Sequence, residues 1–126
     1  KDLNKEQLDS KVIFLGYRDD ILNILPFCDI FVLPTLHETL SIALLEAALC
    51  GLPLIAPKVG GIPEIISNNG FLIKPNDSDE ILKYVNILSS DELLRKEMGK
   101  NSTKIIQDKF NPIFIMKKME KIYEEL

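Results

Sequence analysis

The sequence predicts an α/β domain: a parallel sheet with helices on its flanks. Three observations predict it. Short, near-continuously apolar runs alternate with helical patterns. Those runs lack the in/out alternation of half-exposed strands, as strands covered on both faces do. Proline or glycine punctuates the joins, at Pro34, Gly51 and Gly60-Gly61. At 126 residues the chain is one domain's worth, and an apolar share of 46% is that of a globular protein with a packed core.

Taken in order, Lys11–Leu15 (KVIFL) reads as the first strand. Gly16–Asp20 is a turn, and Asp19 or Asp20 caps a helix running to about Phe27. Asp29–Leu33 (DIFVL) is the second strand, ended by Pro34. Leu40–Cys50 is a helix stopped by Gly51, and Leu52–Ala56 is the third strand. Gly60-Gly61 turns the chain, and Pro63 suits the first turn of a short helix. Gly70–Ile73 is a fourth strand. Asp77–Leu88 opens with acidic and Ser residues, as a helix N-terminus does. Leu94, Met98, Ile105 and Ile106 recur at helical spacing within Asp91–Asp108. Asn111-Pro112 caps a last helix with Ile115, Met119, Ile122 and Leu126 on one stripe.

Composition narrows the function. Charged residues are 27% with a net charge of -4, against the basic face a nucleic-acid binder needs. Cys28 and Cys50 are too few for a disulfide scaffold and too far apart for a zinc knuckle; they read as reduced core thiols, and the protein as cytoplasmic. The opening KDLNKEQLDS is polar, is no signal peptide, and reads as the tail of a helix. With no initiator Met, the chain is expected to continue upstream. Leu40–Leu54 is broken by Ser41, Glu46, Gly51 and Pro53, so it is no membrane span.

The most informative stretch is HETLSIALLEAALCG, His37–Gly51. From Leu40 to Cys50 only Ser41 and Glu46 are polar, which predicts a buried helix. A carboxylate is costly to bury unpaired, so Glu46 must face solvent, a partner or a ligand; a hydroxyl-rich ligand suits an acceptor-only group. If Glu38 is helical, the two acids lie about 80° apart around the axis and about 12 Å apart along it. The free N–H groups of Leu40 and Ser41 lie between them, an anion site at a helix N-terminus. Carboxylate, amides and carboxylate match the sugar, diphosphate and ribose of a nucleotide-sugar in order. On spacing alone, Glu38 is equally a helix-start acid and Glu46 an ordinary solvated or ion-paired residue.

From Glu38 to Glu46 the pattern is E-x7-E, followed by AALCGLPLIAPKVGGIPEII. Glu38, Glu46, Ala47, Gly51, Pro53, Ile55, Ala56, Gly60, Gly61 and Glu64 fall in phase with family-4 glycosyltransferases, which this stretch resembles: the retaining group 1 enzymes. FLGYRDDI, DIFVLPT and NGFLIKPND carry the resemblance from about Val12 to the end. Thr39 and Ser41 depart from it, standing where two glycines are usual.

The resemblance implies the C-terminal, nucleotide-sugar-binding domain of a GT-B fold, one of two Rossmann-like domains facing a cleft. The single domain 1–126 is then a partial parallel sheet without its first two strands, and inactive alone. In a sheet of order 3-2-1-4-5-6 it matches strands three to six, so Lys11–Leu15 and Asp29–Leu33 are not neighbours. The candidate catalytic residue is Glu38, at the donor sugar. Thr39, Leu40 and Ser41, with Gly60 and Gly61, would bind sugar and phosphate; Glu46 would hold the ribose; Gly16, Tyr17 and Arg18 would lie at the base. The implied partners are a UDP- or GDP-sugar donor, a saccharide or lipid-linked acceptor, and an N-terminal acceptor domain through which any peripheral membrane association would run. No metal or other cofactor is implied, and the Arg and Lys that grip the diphosphate match no residue here. Two alternatives share the architecture: a non-catalytic nucleotide-sugar-binding chain and a sugar-nucleotide epimerase.

Overall fold

The computed structural model describes residues 11–125. Its sheet has three parallel strands in the order β1-β2-β3: Phe31–Val32, Leu54–Pro57 and Gly70–Ile73. Leu54 pairs with Phe31 on one side and Gly70 on the other. The central strand β2 is buried along its whole length, which is why it reads as an unbroken apolar run. Six helices accompany the sheet among the described residues. These are α1 (Ile21–Ile24, continued by a 3-10 turn to Phe27), α2 (Ile42–Leu49), α3 (Ile62–Ile65), α4 (Ser78–Ser90), α5 (Glu92–Lys109) and α6 (Pro112–Glu124).

Successive side chains of a strand leave on opposite faces, and the core divides accordingly. Leu54 and Ala56 meet Leu44, Ala47 and Ala48 of α2 and Ile62 and Ile65 of α3. Ile55 turns the other way, to Ile73, Leu88 of α4 and Met98 of α5. Helices therefore cover both faces, as the sequence predicts. Four of them open on side-chain caps: Ser41 Oγ accepts from Leu44 N–H, and Asp77, Asp91 and Asn111 accept likewise for α4, α5 and α6. Each cap is worth about 1 kcal/mol. Gly51, in the left-handed region at φ 76°, ends α2 and donates to Ala48 O.

One polar cluster lies inside the apolar mass. Asn69 and Ser102 are fully buried. Asn69 Nδ2 donates to Ile65 O and to Ser102 Oγ, whose own hydroxyl donates to Leu52 O at 2.7 Å. Asn69 Oδ1 accepts from Ser67 N–H. The end of α3, the entry to β2 and the middle of α5 are joined through these two side chains.

Several expectations are corrected. Lys11–Leu15 forms no strand; Ile13 and Phe14 are 83% and 87% exposed. A strand exists only through pairing, and among the described residues nothing pairs with this segment. No hydrogen bond joins it to β1. Asp20 occupies the N-cap position of α1 without a side-chain cap bond, because its carboxylate takes the Arg18 guanidinium instead. Cys28 is exposed rather than core; Cys50 is half-buried, and burial pushes its thiol up. The stripe on α6 is not core either, since Ile115, Met119 and Ile122 are 41–55% exposed. The opening helix tail and Leu126 lie outside the described residues.

Candidate functional site

The site is built where β1 runs out into the 33–41 loop. Pro34 cannot donate a ladder hydrogen bond, so pairing stops there. Thr35 Oγ1 then donates to His37 O at 2.8 Å, folding the loop so that Glu38 follows directly. Ser41 takes the N-cap with extended backbone, and the helix begins at Ile42, two residues later than predicted. Serine competes for backbone donors just outside a helix, which explains the shift.

This extends the set of free amides. Thr39 N–H is occupied by Glu38 Oε1 at 3.1 Å, and Leu44 N–H by Ser41 Oγ at 3.3 Å. The first-turn donors with no partner among the described residues are Ile42 and Ala43, which sequence reasoning missed; the preference of serine for the N-cap was the signal available. Leu40 and Ser41 N–H groups are also without a partner among those residues, but Ser41 is only 3% exposed. The α2 N-terminus keeps its positive dipole end toward the loop.

Glu38 lies in irregular backbone, three residues before the N-cap. The helical angle predicted between it and Glu46 therefore has no meaning. Glu46 is on the helix, and the face it shares with Ile42 and Leu49 is open: those two are 70% and 56% exposed. The prediction that α2 is buried all round fails on this face. Neither Glu38 nor Glu46 forms an ion pair among the described residues; Glu38 has one oxygen on Thr39 N–H. About 6 Å of helix separates Glu46 from Ile42.

Gly60-Gly61 closes the other side. Gly60 adopts φ 51°, where L side chains are strained. Gly61 N–H donates to Thr39 O at 2.6 Å. A Cβ on Gly60 would collide with the Glu38 carbonyl, and one on Gly61 would stand 2.6 Å from Thr39 O. Two segments that stand apart in the sequence, 38–41 and 60–61, are thus in backbone contact. Glu64 sits exposed in the first turn of α3, where the dipole favours an acid. The Gly16–Arg18 turn is not brought to them by any hydrogen bond among the described residues. Tyr17 is 97% exposed, and Arg18 is held by Asp20 at 2.6 and 2.7 Å. That pair lowers the Asp20 pKa below its usual 3.8.

Among the described residues no group of three or more His, Cys, Asp or Glu side chains could hold a metal ion. No helix there is long and apolar enough to cross a membrane.

A parallel sheet that delivers a loop and a helix N-terminus at its carboxyl edge, with helices on both faces, defines a domain of the open α/β class. Within that class the chain belongs to the family described as Glycosyl transferases group 1, which it matches over residues 1–105. It is 38% identical over 117 residues to UDP-Gal:α-D-GlcNAc-diphosphoundecaprenol α-1,3-galactosyltransferase of Escherichia coli, covering 91% of this chain and 29% of that protein. It is 31% identical over 121 residues to N-acetyl-α-D-glucosaminyl L-malate synthase of Bacillus anthracis, covering 94% and 32%. Among solved structures, HepE of Anabaena in complex with UDP superposes with a TM-score of 0.88 at 30% identity, covering 94% of this chain and 34% of that one. The chain thus spans about a third of the length of these relatives. The sheet and its flanking helices match GT-B glycosyltransferase structures.

Proposed function

We propose that this chain is the nucleotide-sugar-binding part of a retaining glycosyltransferase, moving a hexose-type sugar from a UDP-sugar to a saccharide or lipid-linked acceptor. The observation that carries the reading is the contact between the Glu38–Leu40 loop and Gly60-Gly61 at the mouth of α2, with Glu46 half-buried on the same helix between the exposed Ile42 and Leu49. The relatives support it: one is named for a UDP-galactose donor and an undecaprenol-linked acceptor, and HepE was solved with UDP and with UDP-glucose. A donor without divalent metal is in keeping with the amide-lined site.

In this reading the Ile42 and Ala43 amides and the α2 dipole take the diphosphate, stabilising the negative charge that develops as it leaves. Glu46 accepts from the ribose hydroxyls one turn along the helix. Glu38 releases Thr39 N–H and accepts from the donor sugar beside the reacting carbon, while Gly60 and Gly61 keep side chains out of that space. Tyr17 and Arg18 serve the base, which requires Arg18 to leave Asp20 or to stack with its face while paired.

Glu46→Ala tests the reading. Losing the ribose hydrogen bonds should weaken UDP binding by roughly 1–3 kcal/mol, about 5- to 150-fold, by calorimetry on the intact protein. An affinity unchanged within error removes the ribose role.

A further inference from the structure

A second opening lies at the same edge of the sheet, beside the start of the 33–41 loop and lined by other residues than those assigned to the donor. It is a cavity of about 330 Å³ lined at the strand ends by Pro34, Thr35, Leu36, Pro57 and Ile73, and at the mouth of α4 by Asn76, Asp77, Ser78 and Ile81. All three strands end at it, the position where open α/β sheets bind ligands. None of Glu38–Ser41, Glu46, Gly60 and Gly61 lines it.

Its chemistry is two-sided. Pro34, Leu36, Pro57, Ile73 and Ile81 give flat apolar surface. Thr35, Asn76, Asp77 and Ser78 give hydroxyl, amide and carboxylate groups. The Asn76 carboxamide and the Ser78 hydroxyl have no hydrogen-bond partner among the described residues. Asp77 spends one oxygen on Glu80 N–H at 2.9 Å, leaving the other. No Lys, Arg or His lines the cavity, so no side-chain cation is there to pair with an anion. The volume is at the low end of the range for ligand pockets, about 300–1,000 Å³, which suits one ring and not a nucleotide. A neutral, hydroxyl-rich ring with an apolar face satisfies both sides, the description of a pyranose.

Placement gives that ring a role. Thr35 and Leu36 line the cavity, and the Thr35 hydroxyl holds His37 O, so the cavity wall continues within two residues into Glu38. We infer that this cavity is a saccharide subsite for the acceptor, contributed by the donor-binding domain itself. The assignment of the ring as acceptor rests on Glu38 being at the donor sugar.

Amide NMR of the labelled chain tests it, with methyl α-glucopyranoside, methyl α-galactopyranoside and methyl α-mannopyranoside as probes and UDP as the control ligand. At least one pyranoside is expected to give saturable shifts at Leu36, Asn76 and Ser78. Those shifts should be lost in Ser78→Trp, which fills the rim. UDP should instead move Ile42 and Ala43 and leave Asn76 and Ser78 in place. Cavity amides unmoved by all three pyranosides would overturn the subsite, and so would UDP shifting Asn76 and Ser78 in step with Ile42. UDP moving neither set while a pyranoside moves the cavity would instead sink the donor reading and leave a saccharide site standing.

Discussion

Gly60→Ala is the substitution on which the geometry of the donor loop can be judged. Two costs act together. At φ 51° an Ala is in the left-handed region, a penalty of about 1–2 kcal/mol. Its Cβ would also collide with the Glu38 carbonyl, and forcing extra carbon into packed backbone costs about 1–3 kcal/mol. The sum, roughly 2–5 kcal/mol, is a large part of the 5–15 kcal/mol that holds a typical domain folded. At about 4 °C per kcal/mol, Tm should fall by roughly 8–20 °C. Gly16→Ala is the control. Gly16 has φ 68°, and a Cβ there would meet nothing within 4 Å, so only the backbone penalty applies and the fall should stay below about 8 °C. Thermal melts followed by circular dichroism give both numbers, and UDP titration of the Gly60 variant gives the functional counterpart. It should lose UDP affinity because the clash displaces the Glu38–Thr39 backbone. Equal melts for the two variants would refute the close approach, and with it the contact between the 38–40 loop and Gly60-Gly61.

Three further outcomes are expected. Ser41→Ala removes the α2 cap, so stability should drop by about 1 kcal/mol, measurable as a midpoint shift in urea; an unmoved midpoint means that Leu44 N–H finds another acceptor. Ser102→Ala strands Leu52 O and one Asn69 N–H in the core, so the loss should be about 1–3 kcal/mol, with amide-exchange protection lost first around Asn69; a loss under about 0.5 kcal/mol, the scatter of a surface substitution, would contradict the buried network. The Asp20 carboxyl, held by Arg18, should titrate below 3.8 by carbon-detected NMR and return to about 3.8 in Arg18→Gln. Because its folded pKa is depressed, the pair's contribution is present above 3.8 and is lost as pH falls through the lowered value. At the surface that contribution is small.

The helices and the buried strands are legible because periodicity and caps are local. Asp77, Asp91 and Asn111 are N-caps, and Gly70–Ile73 is a strand with the bounds predicted. Lys11–Leu15 misleads because an apolar run says only that burial is favourable, while a strand also needs a partner for its N–H and C=O groups. Phe31–Val32 shows the same limit from the other side. The apolar run Asp29–Leu33 predicts a longer strand, and only the two residues that face Leu54 and Ile55 pair. Cys28 and the α6 stripe mislead for a related reason: hydrophobicity predicts a preference for burial, and what is available to bury against is a tertiary property.

At the site, the residue types are legible and the geometry is not. Helical arithmetic relates Glu38 to Glu46, and it cannot apply once Ser41 caps α2. The two departures from the family pattern show what replaces it. Ser41 has its hydroxyl on Leu44 N–H, so the residue that stands for a glycine is consumed in starting the helix two residues late. Thr39 has its N–H on Glu38 and its carbonyl on Gly61 N–H, so its backbone is fixed at both ends. The space that the loop needs free of Cβ atoms is then kept free from the opposite side, by Gly60 and Gly61. It follows that glycine is required on one wall of this contact and tolerated as Thr or Ser on the other. Restoring Gly at 39 and 41 should leave the contact with 60–61 intact, whereas Ala at 60 or 61 should break it.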